Sequence, residues 1–414
     1  MAALVNPVAP FRRVLRRPVL RRVLPAMLLS AIGDGMSVVA VAWLAVGIAP
    51  PGQSGVWTAL AVAAYSLPAT LGAAVLARLV RGLPGTALVT VDAALRAVAL
   101  GTIAGLAITG RLTPAPYVVL LAGSSLLHAW GNAGVYTLIA ELVPDEDRVT
   151  GNALLSSFIQ LSYVIGPALA GGLSAWAGPG WAIAADAGSF AVLAVTCLSA
   201  SRSHVPAPPA PPPATVATSG MRAILGDPRL AGLLAVTCAF FFLYGPVEVA
   251  LPIHIADEVH GSAALLGTFW ATFGIGAIAG SLGAGLLRHR PLWAVVAAII
   301  AGWGAALLPL GLTGAVLPGL IGFAAGGVIY GPFSAICTAL FQGSSPPHLL
   351  SRVLATRAAL TTPSTAAGTL LGGPIVAAIG GQRTLLASAL LTIALGVAVA
   401  AVRRRSLLRD HSGT

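Results

Sequence analysis

Long apolar runs, separated by short connections rich in Gly, Pro and charge, follow one another from Val23 almost to the end of the chain. Each is close to the roughly 20 residues that a helix needs to cross a hydrocarbon core. The pattern predicts helical spans at about 23–48, 56–78, 85–108, 116–139, 150–176, 180–200, 229–253, 262–287, 291–311, 314–339, 352–378 and 384–402. Pro144 and the Pro346-Pro347 pair mark the breaks before the fifth and eleventh runs, since proline disfavours helix at the residue before it.

The arginines fall in step with these crossings. With the N-terminus inside, the inner segments hold Arg12, Arg13, Arg16, Arg17, Arg21 and Arg22, then Arg78, Arg81, Arg148, Arg202, Arg222, Arg229, Arg288, Arg290, Arg352 and Arg357, and the tail Arg403, Arg404, Arg405 and Arg409. The outer loops hold only Arg111 and Arg383. An odd number of crossings would destroy this bias, so both termini are expected in the cytoplasm. The basic N-terminus has the look of a signal-peptide n-region. The run that follows it is too long for a signal core and lacks a small-x-small cleavage site, so it is expected to stay as the first membrane helix.

Composition agrees with lipid as the solvent. Of 414 residues, 57% are hydrophobic and 8% charged, against roughly 25% charged in soluble domains. The net charge of +11 comes entirely from Arg, with no Lys in the chain. Because these charges sit at helix ends, anionic headgroups and topology account for them better than nucleic acid does. Without Lys there is no Gly-x-x-x-x-Gly-Lys loop for ATP. Cys197, Cys238 and Cys337 stand alone in apolar runs and read as packing residues rather than disulfide partners or metal ligands.

One long hydrophilic stretch, Ser201 to Arg229, contains the run Pro206 to Pro213, which is read as extended and solvated. It divides the chain into an Arg-rich N-terminus (1–22), a six-helix bundle (23–200), a Pro-rich cytoplasmic linker (201–228), a second six-helix bundle (229–402) and a tail (403–414). The halves echo each other. Pro144 to Arg148-Val149 recurs as Pro347 to Arg352-Val353, Gly171-Gly172 as Gly372-Gly373, and the Gly178-Pro179-Gly180 turn as Gly380-Gly381. Such duplication is typical of secondary transporters, whose substrate sites lie near the midplane. The expected fold is therefore all-α: twelve membrane helices in two pseudo-symmetric bundles. Small-residue pairs at i and i+4, such as Gly101/Gly105, Gly276/Gly280, Gly322/Gly326, Gly327/Gly331 and Gly368/Gly372, predict close helix packing.

Span five carries Gly166-Pro167 followed by Gly171-Gly172. A proline flanked by glycines frees backbone groups and lets a membrane helix bend, which suits either a gating helix or a packing kink. This motif resembles the span-five antiporter signature of major facilitator exporters, with one extra residue between its halves. Leu142-Val143-Pro144 through Arg148 to Asn152-Ala153-Leu154 is similar to the span four–five loop of the enterobactin-exporter and macrolide-efflux branch, as are Leu251-Pro252, Leu266-Gly267 and Gly274 to Gly276. The resemblance implies a major facilitator fold and a cytoplasmic gate of Arg78, Asp92, Arg96 and Arg148, with Asp92-x-x-x-Arg96 at the inner end of span three. Ala77 stands where that family's loop carries Asp, and the drug-antiporter Arg of span four is absent.

Ionisable groups inside a bilayer are costly and mark pathways. Asp34 lies about 16 Å into span one at ~1.5 Å per residue, flanked by Gly33 and Gly35, which leave room for water or substrate. His128 with Asn132 in span four, Asp186 in span six and Glu248 in span seven complete the candidates for proton coupling and substrate contact. Each has a plainer reading as a hydrogen-bonded packing group. Gln160, Tyr163, Tyr244, Trp270 and Tyr330 offer polar or aromatic contacts, or simply pack. The sequence thus points to a transporter without catalytic, cofactor or metal residues. Its expected partners are a small-molecule substrate, protons and the lipid bilayer, with no nucleic acid and the chain as a monomer. Efflux coupled to protons is the leading reading. An importer or a transport-inactive sensor of the same fold is the alternative, and a membrane-embedded transferase a remote one, since the only acidic cluster, Asp145-Glu146-Asp147, has no second cluster facing it.

Overall fold

The computed structural model describes residue 14 and residues 17–80, 82–201, 216–287, 289–346 and 349–412. The Pro206–Pro213 run lies outside them, as do Arg12, Arg13, Arg16 and Arg81. The fold is built from long helices: α1 Leu20–Ile48, α2 Ser54–Val75, α3 Gly85–Ile108, α4 Pro114–Leu142, α5 Arg148–Ala177, α6 Pro179–Ser201, α7 Pro228–Glu258, α8 Ala263–Leu287, α9 Leu292–Leu312, α10 Val316–Ser344, α11 Leu350–Ile379 and α12 Gly381–Ser412. Among the described residues, eleven of these are long and apolar enough to cross a membrane. The remaining one, α11, has 30 residues but carries Arg352, Arg357 and the polar run Thr361-Thr362-Pro363-Ser364-Thr365, which dilute its hydropathy. α10 is interrupted midway, between Tyr330 and Phe333. α4 pauses between Ser125 and His128, and α7 ends in a π turn over His254–Glu258.

Part of the 201–228 stretch is not an extended connection. Val216–Leu225 forms a helix. Its Ile224 is buried with Leu230, Leu233, Leu234, Phe341 and Val353, so an apolar face pins this segment to α7, α10 and α11.

The chain forms two compact units, Met1–Val41 with Ala64–Pro212, and Ala42–Ala63 with Pro213–Thr414. Backbone contact at glycine holds each together. In the second unit α8 and α10 interlock. A Cβ on Gly276 would stand 3.0 Å from the Val328 nitrogen, and one on Gly331 2.7 Å from the Ser281 nitrogen. Lipid tails give no hydrophobic drive for helices to associate, so this close van der Waals approach supplies the attraction. The Gly101/Gly105 pair does not serve the same purpose, because a Cβ on Gly105 would meet nothing within 4 Å.

In the second unit the core is aromatic. Trp303 of α9 is 1% exposed and stands 5.3 Å from Phe273, 5.8 Å from Phe323, 6.0 Å from Tyr244 and 6.1 Å from Tyr330, centroid to centroid. Trp270 joins through Phe323 and Phe273. These are the spacings of favourable tilted and edge-to-face pairs.

Candidate functional site: a charged cavity in the first unit

α1 brings Asp34 and Ser37 to neighbouring faces three residues apart. The two glycines around Asp34 admit neighbouring helices, and Gly35 is also among the cavity walls. A Cβ on Gly33 would lie 2.5 Å from Asp186 Oδ1, and one on Gly35 would lie 2.9 Å from the Ser162 carbonyl carbon. Gly33 admits α6 and Gly35 admits α5, and this pressure from both sides fixes the rotation of α1. Gly166 completes the α1–α5 contact, since its Cβ would stand 2.7 Å from the Met36 nitrogen.

So fixed, the Asp34 carboxylate meets a cation. Arg96 Nη1 donates to Asp34 Oδ1 at 2.7 Å, and Tyr65 Oη of α2 donates to the same oxygen at 2.5 Å. Arg96 Nη1 also reaches Tyr65 Oη at 3.3 Å. The guanidinium lies 4.9 Å from the Phe190 ring centroid and 5.3 Å from that of Tyr65, a cation–π setting that helps a buried charge. Arg96 is 0% exposed. Asp34 is different: 38% of its side chain remains accessible, and that surface faces a cavity of about 340 Å³.

The cavity is lined within the first unit by α1, α2, α3, α4, α5 and α6, with Asp34, Tyr65, Asp92, His128, Asn132 and Tyr163 among its walls. His128 Nε2 and Asn132 Nδ2 are 3.2 Å apart, one turn along α4. Asp92 and Arg96 are eight and twelve residues into α3, not at its end, and Arg96 faces Asp34 rather than a loop. Asp92 Oδ1 lies 3.8 Å from Arg96 Nε. Both atoms are buried and neither has a hydrogen bond.

The other candidates are not among the cavity walls. Asp186 is 0% exposed, accepts from Ser37 Oγ at 2.5 Å and is not among the cavity walls; it ties α6 to α1. Glu248 belongs to the second unit, where Thr369 Oγ1 of α11 donates to its Oε2 at 3.0 Å. Arg148 donates to the Ala140 carbonyl at 3.0 Å and is exposed. Arg78 falls in the short helix Ala77–Val80, and its side chain lies outside the described positions. Within α5, Gly166, Pro167 and Gly171 are buried, while a Cβ on Gly172 would meet nothing within 4 Å. Tyr65 and Phe190 escaped the sequence reading because an aromatic residue in an apolar run carries no sign of what it faces. Among the described residues no three His, Cys, Asp or Glu side chains are grouped to hold a metal ion.

A bundle of membrane-length helices around an internal ion pair and cavity defines a multi-pass membrane transporter. The family model of the Major Facilitator Superfamily matches residues 23–356, and the chain belongs to that family of transporters rather than to the enzymes. Its relatives include efflux pumps. It is 26% identical over 399 residues to the multidrug efflux pump Tap of Mycolicibacterium fortuitum, covering 92% of this chain and 95% of Tap. It is 28% identical over 278 residues to the enterobactin exporter EntS of Shigella flexneri, covering 64% of this chain and 63% of EntS. It is also 28% identical over 260 residues to the uncharacterized MFS-type transporter y4rN of Sinorhizobium fredii (strain NBRC 101917 / NGR234), covering 61% of this chain and 63% of y4rN. The matches to EntS and y4rN thus span less than two thirds of those proteins. Among solved structures, the nucleoside transporter NupG superposes with a TM-score of 0.71 at 14% identity, over 93% of this chain and 99% of NupG. A bacterial homologue of the iron transporter ferroportin gives 0.69 at 16%, over 92% and 98%. At these identities both likenesses concern the fold.

Proposed function

We propose that this transporter is a proton-coupled exporter of small drug-like or siderophore-like molecules, working by alternating access as a monomer in the lipid bilayer with both termini in the cytoplasm. One observation carries the reading: Asp34 is at once the counter-ion of a buried arginine and part of the wall of an open cavity. The relatives Tap, a multidrug efflux pump, and EntS, an enterobactin exporter, support the outward direction.

In this account Asp34 is the exchange group. A proton or a substrate cation arriving from the cavity neutralises the carboxylate and weakens its hold on Arg96. An unpaired guanidinium inside the membrane is costly, but Asp92 stands on its other edge. The planar fork of Arg can present Nη1 to one carboxylate and Nε to another, and the unbonded Nε–Oδ1 approach at 3.8 Å needs only a small closure. Arg96 therefore passes from α1 toward its own helix, which frees α1 to move against α5 at the Gly35–Gly166 contact. The bend at Gly166-Pro167 serves that movement, with Gly171 and Gly172 on the same gating helix. His128 and Asn132 provide polar contacts on the α4 wall, Asp186 holds the α1–α6 seam, and Glu248 stays a separate candidate proton carrier within the second unit, beside Thr369. Arg78 and Arg148 retain a role at the cytoplasmic gate.

The test is transport into everted vesicles energised by a proton gradient, in a strain lacking its own exporters and screened with siderophores, macrolides and other drug-like compounds. The wild type accumulates its substrate and Asp34→Asn does not. Proton-driven accumulation by the Asn variant would rule Asp34 out as the exchange group.

A further inference from the structure

α9 and α12 nearly touch at Gly396, where a Cβ would stand 2.6 Å from the Ala301 nitrogen. Toward the start of α9 and the end of α12 the two helices line a groove of about 370 Å³. Its walls are small and apolar, and Ala294, Ala298 and Ala400 along it are exposed, as is Val397 at 59%. Its end is of another character. Trp293 in the first turn of α9 and Arg403 and Arg404 at the end of the apolar part of α12 close it. The Arg403 guanidinium lies 5.7 Å from the Trp293 ring centroid.

We infer that this groove holds an anionic phospholipid, with an acyl chain along the alanines and the phosphate against Arg403 and Arg404. The order of groups matches the molecule. Tryptophan settles at the level of the headgroups, arginine recognises phosphate through paired N–H donors, and basic pockets between membrane helices select anionic headgroups. The sequence adds Arg405 directly after the pair. Charge complementarity decides the occupant. A larger groove of about 590 Å³ in the first unit, between α1, α5 and α6, has no charged residue in its lining and offers nothing to tell one phospholipid from another. The inference does not depend on proton coupling or on the direction of transport.

The test uses the purified full chain in nanodiscs of phosphatidylcholine containing a minor fraction of phosphatidylglycerol, with the lipid that stays bound after detergent extraction measured by mass spectrometry. The wild type retains phosphatidylglycerol about tenfold above its share. The double variant Arg403→Gln with Arg404→Gln loses that enrichment. Ala298→Trp, which fills the groove and leaves both charges, loses it as well. Leu173→Trp in the uncharged groove keeps it. No enrichment in the wild type, or equal enrichment in the Gln and Trp variants, overturns the proposal. So does displacement by inorganic phosphate alone, which would make the site one for a free anion. A cross-link between two copies through Ala298→Cys in the same nanodiscs would show a second chain in the groove and equally overturn it.

Discussion

The two units solve the burial of polar groups in opposite ways. In the first, Arg96 is enclosed by Asp34, Asp92, Tyr65 and Phe190, and one of its carboxylates opens to a cavity. In the second, the centre is a cluster of rings around Trp303, and its intramembrane carboxylate, Glu248, takes a hydroxyl from Thr369 instead of a cation. An aromatic core is held by packing that does not depend on protonation. An ion pair inside a membrane is held only while both charges persist, so a proton delivered to it changes which helices are tied together. On the proposed proton-coupled reading, the chemically responsive element lies in the first unit and the packed aromatic core in the second.

Removing the shared cation breaks the comparison most severely. Arg96→Gln leaves Asp34 and Asp92 without their counter-ion, and losing one partner of a buried pair costs about 3–5 kcal/mol. Transport is expected to vanish and the thermal transition to fall, while Arg96→Lys restores the charge but not the two-edged geometry and recovers folding more than transport. Full transport by Arg96→Gln would mean that the ion pair is only structural. In the second unit Trp303→Ala should also destabilise by about 3–5 kcal/mol, the usual cost of emptying a large aromatic site. Protein that still folds should keep the pH dependence of transport. A changed pH profile would show that the aromatic core takes part in coupling. A smaller effect sharpens the role of α5. Gly166→Ala pushes a methyl group into the α1 backbone and should cost about 1–3 kcal/mol, whereas Gly172→Ala meets open space and should stay within about 0.5 kcal/mol. Thermal unfolding of the two variants side by side checks this, and equal shifts would remove Gly166 from the α1–α5 seam.

Much of this fold is legible in the sequence because bilayer thickness sets the length of each apolar run and arginine marks where the runs stop. Asp34 stood out for the same reason, as a charge where charge is expensive. The Asp92–Arg96 pair was visible as an i, i+4 spacing, but its partner was not. Contact between α1 and α3 joins residues 62 positions apart, and no local pattern records it. Gly35 does line the cavity beside Asp34, but Gly33 and Gly35 also admit neighbouring helices, which no local pattern shows because a glycine looks the same whether it faces a cavity or a helix. The helix Val216–Leu225 follows closely on the proline run, which hides it from a reading of local pattern.

Proton release on substrate binding tests the central claim most directly. Purified wild-type protein brought to a pH acid enough to protonate Asp34, then titrated in weak buffer with a substrate found in the transport screen, should release protons to the medium. Glu248→Gln should release them as well, and Asp34→Asn should bind without release. Release that persists in Asp34→Asn and disappears in Glu248→Gln would contradict the account and move the responsive group to the second unit.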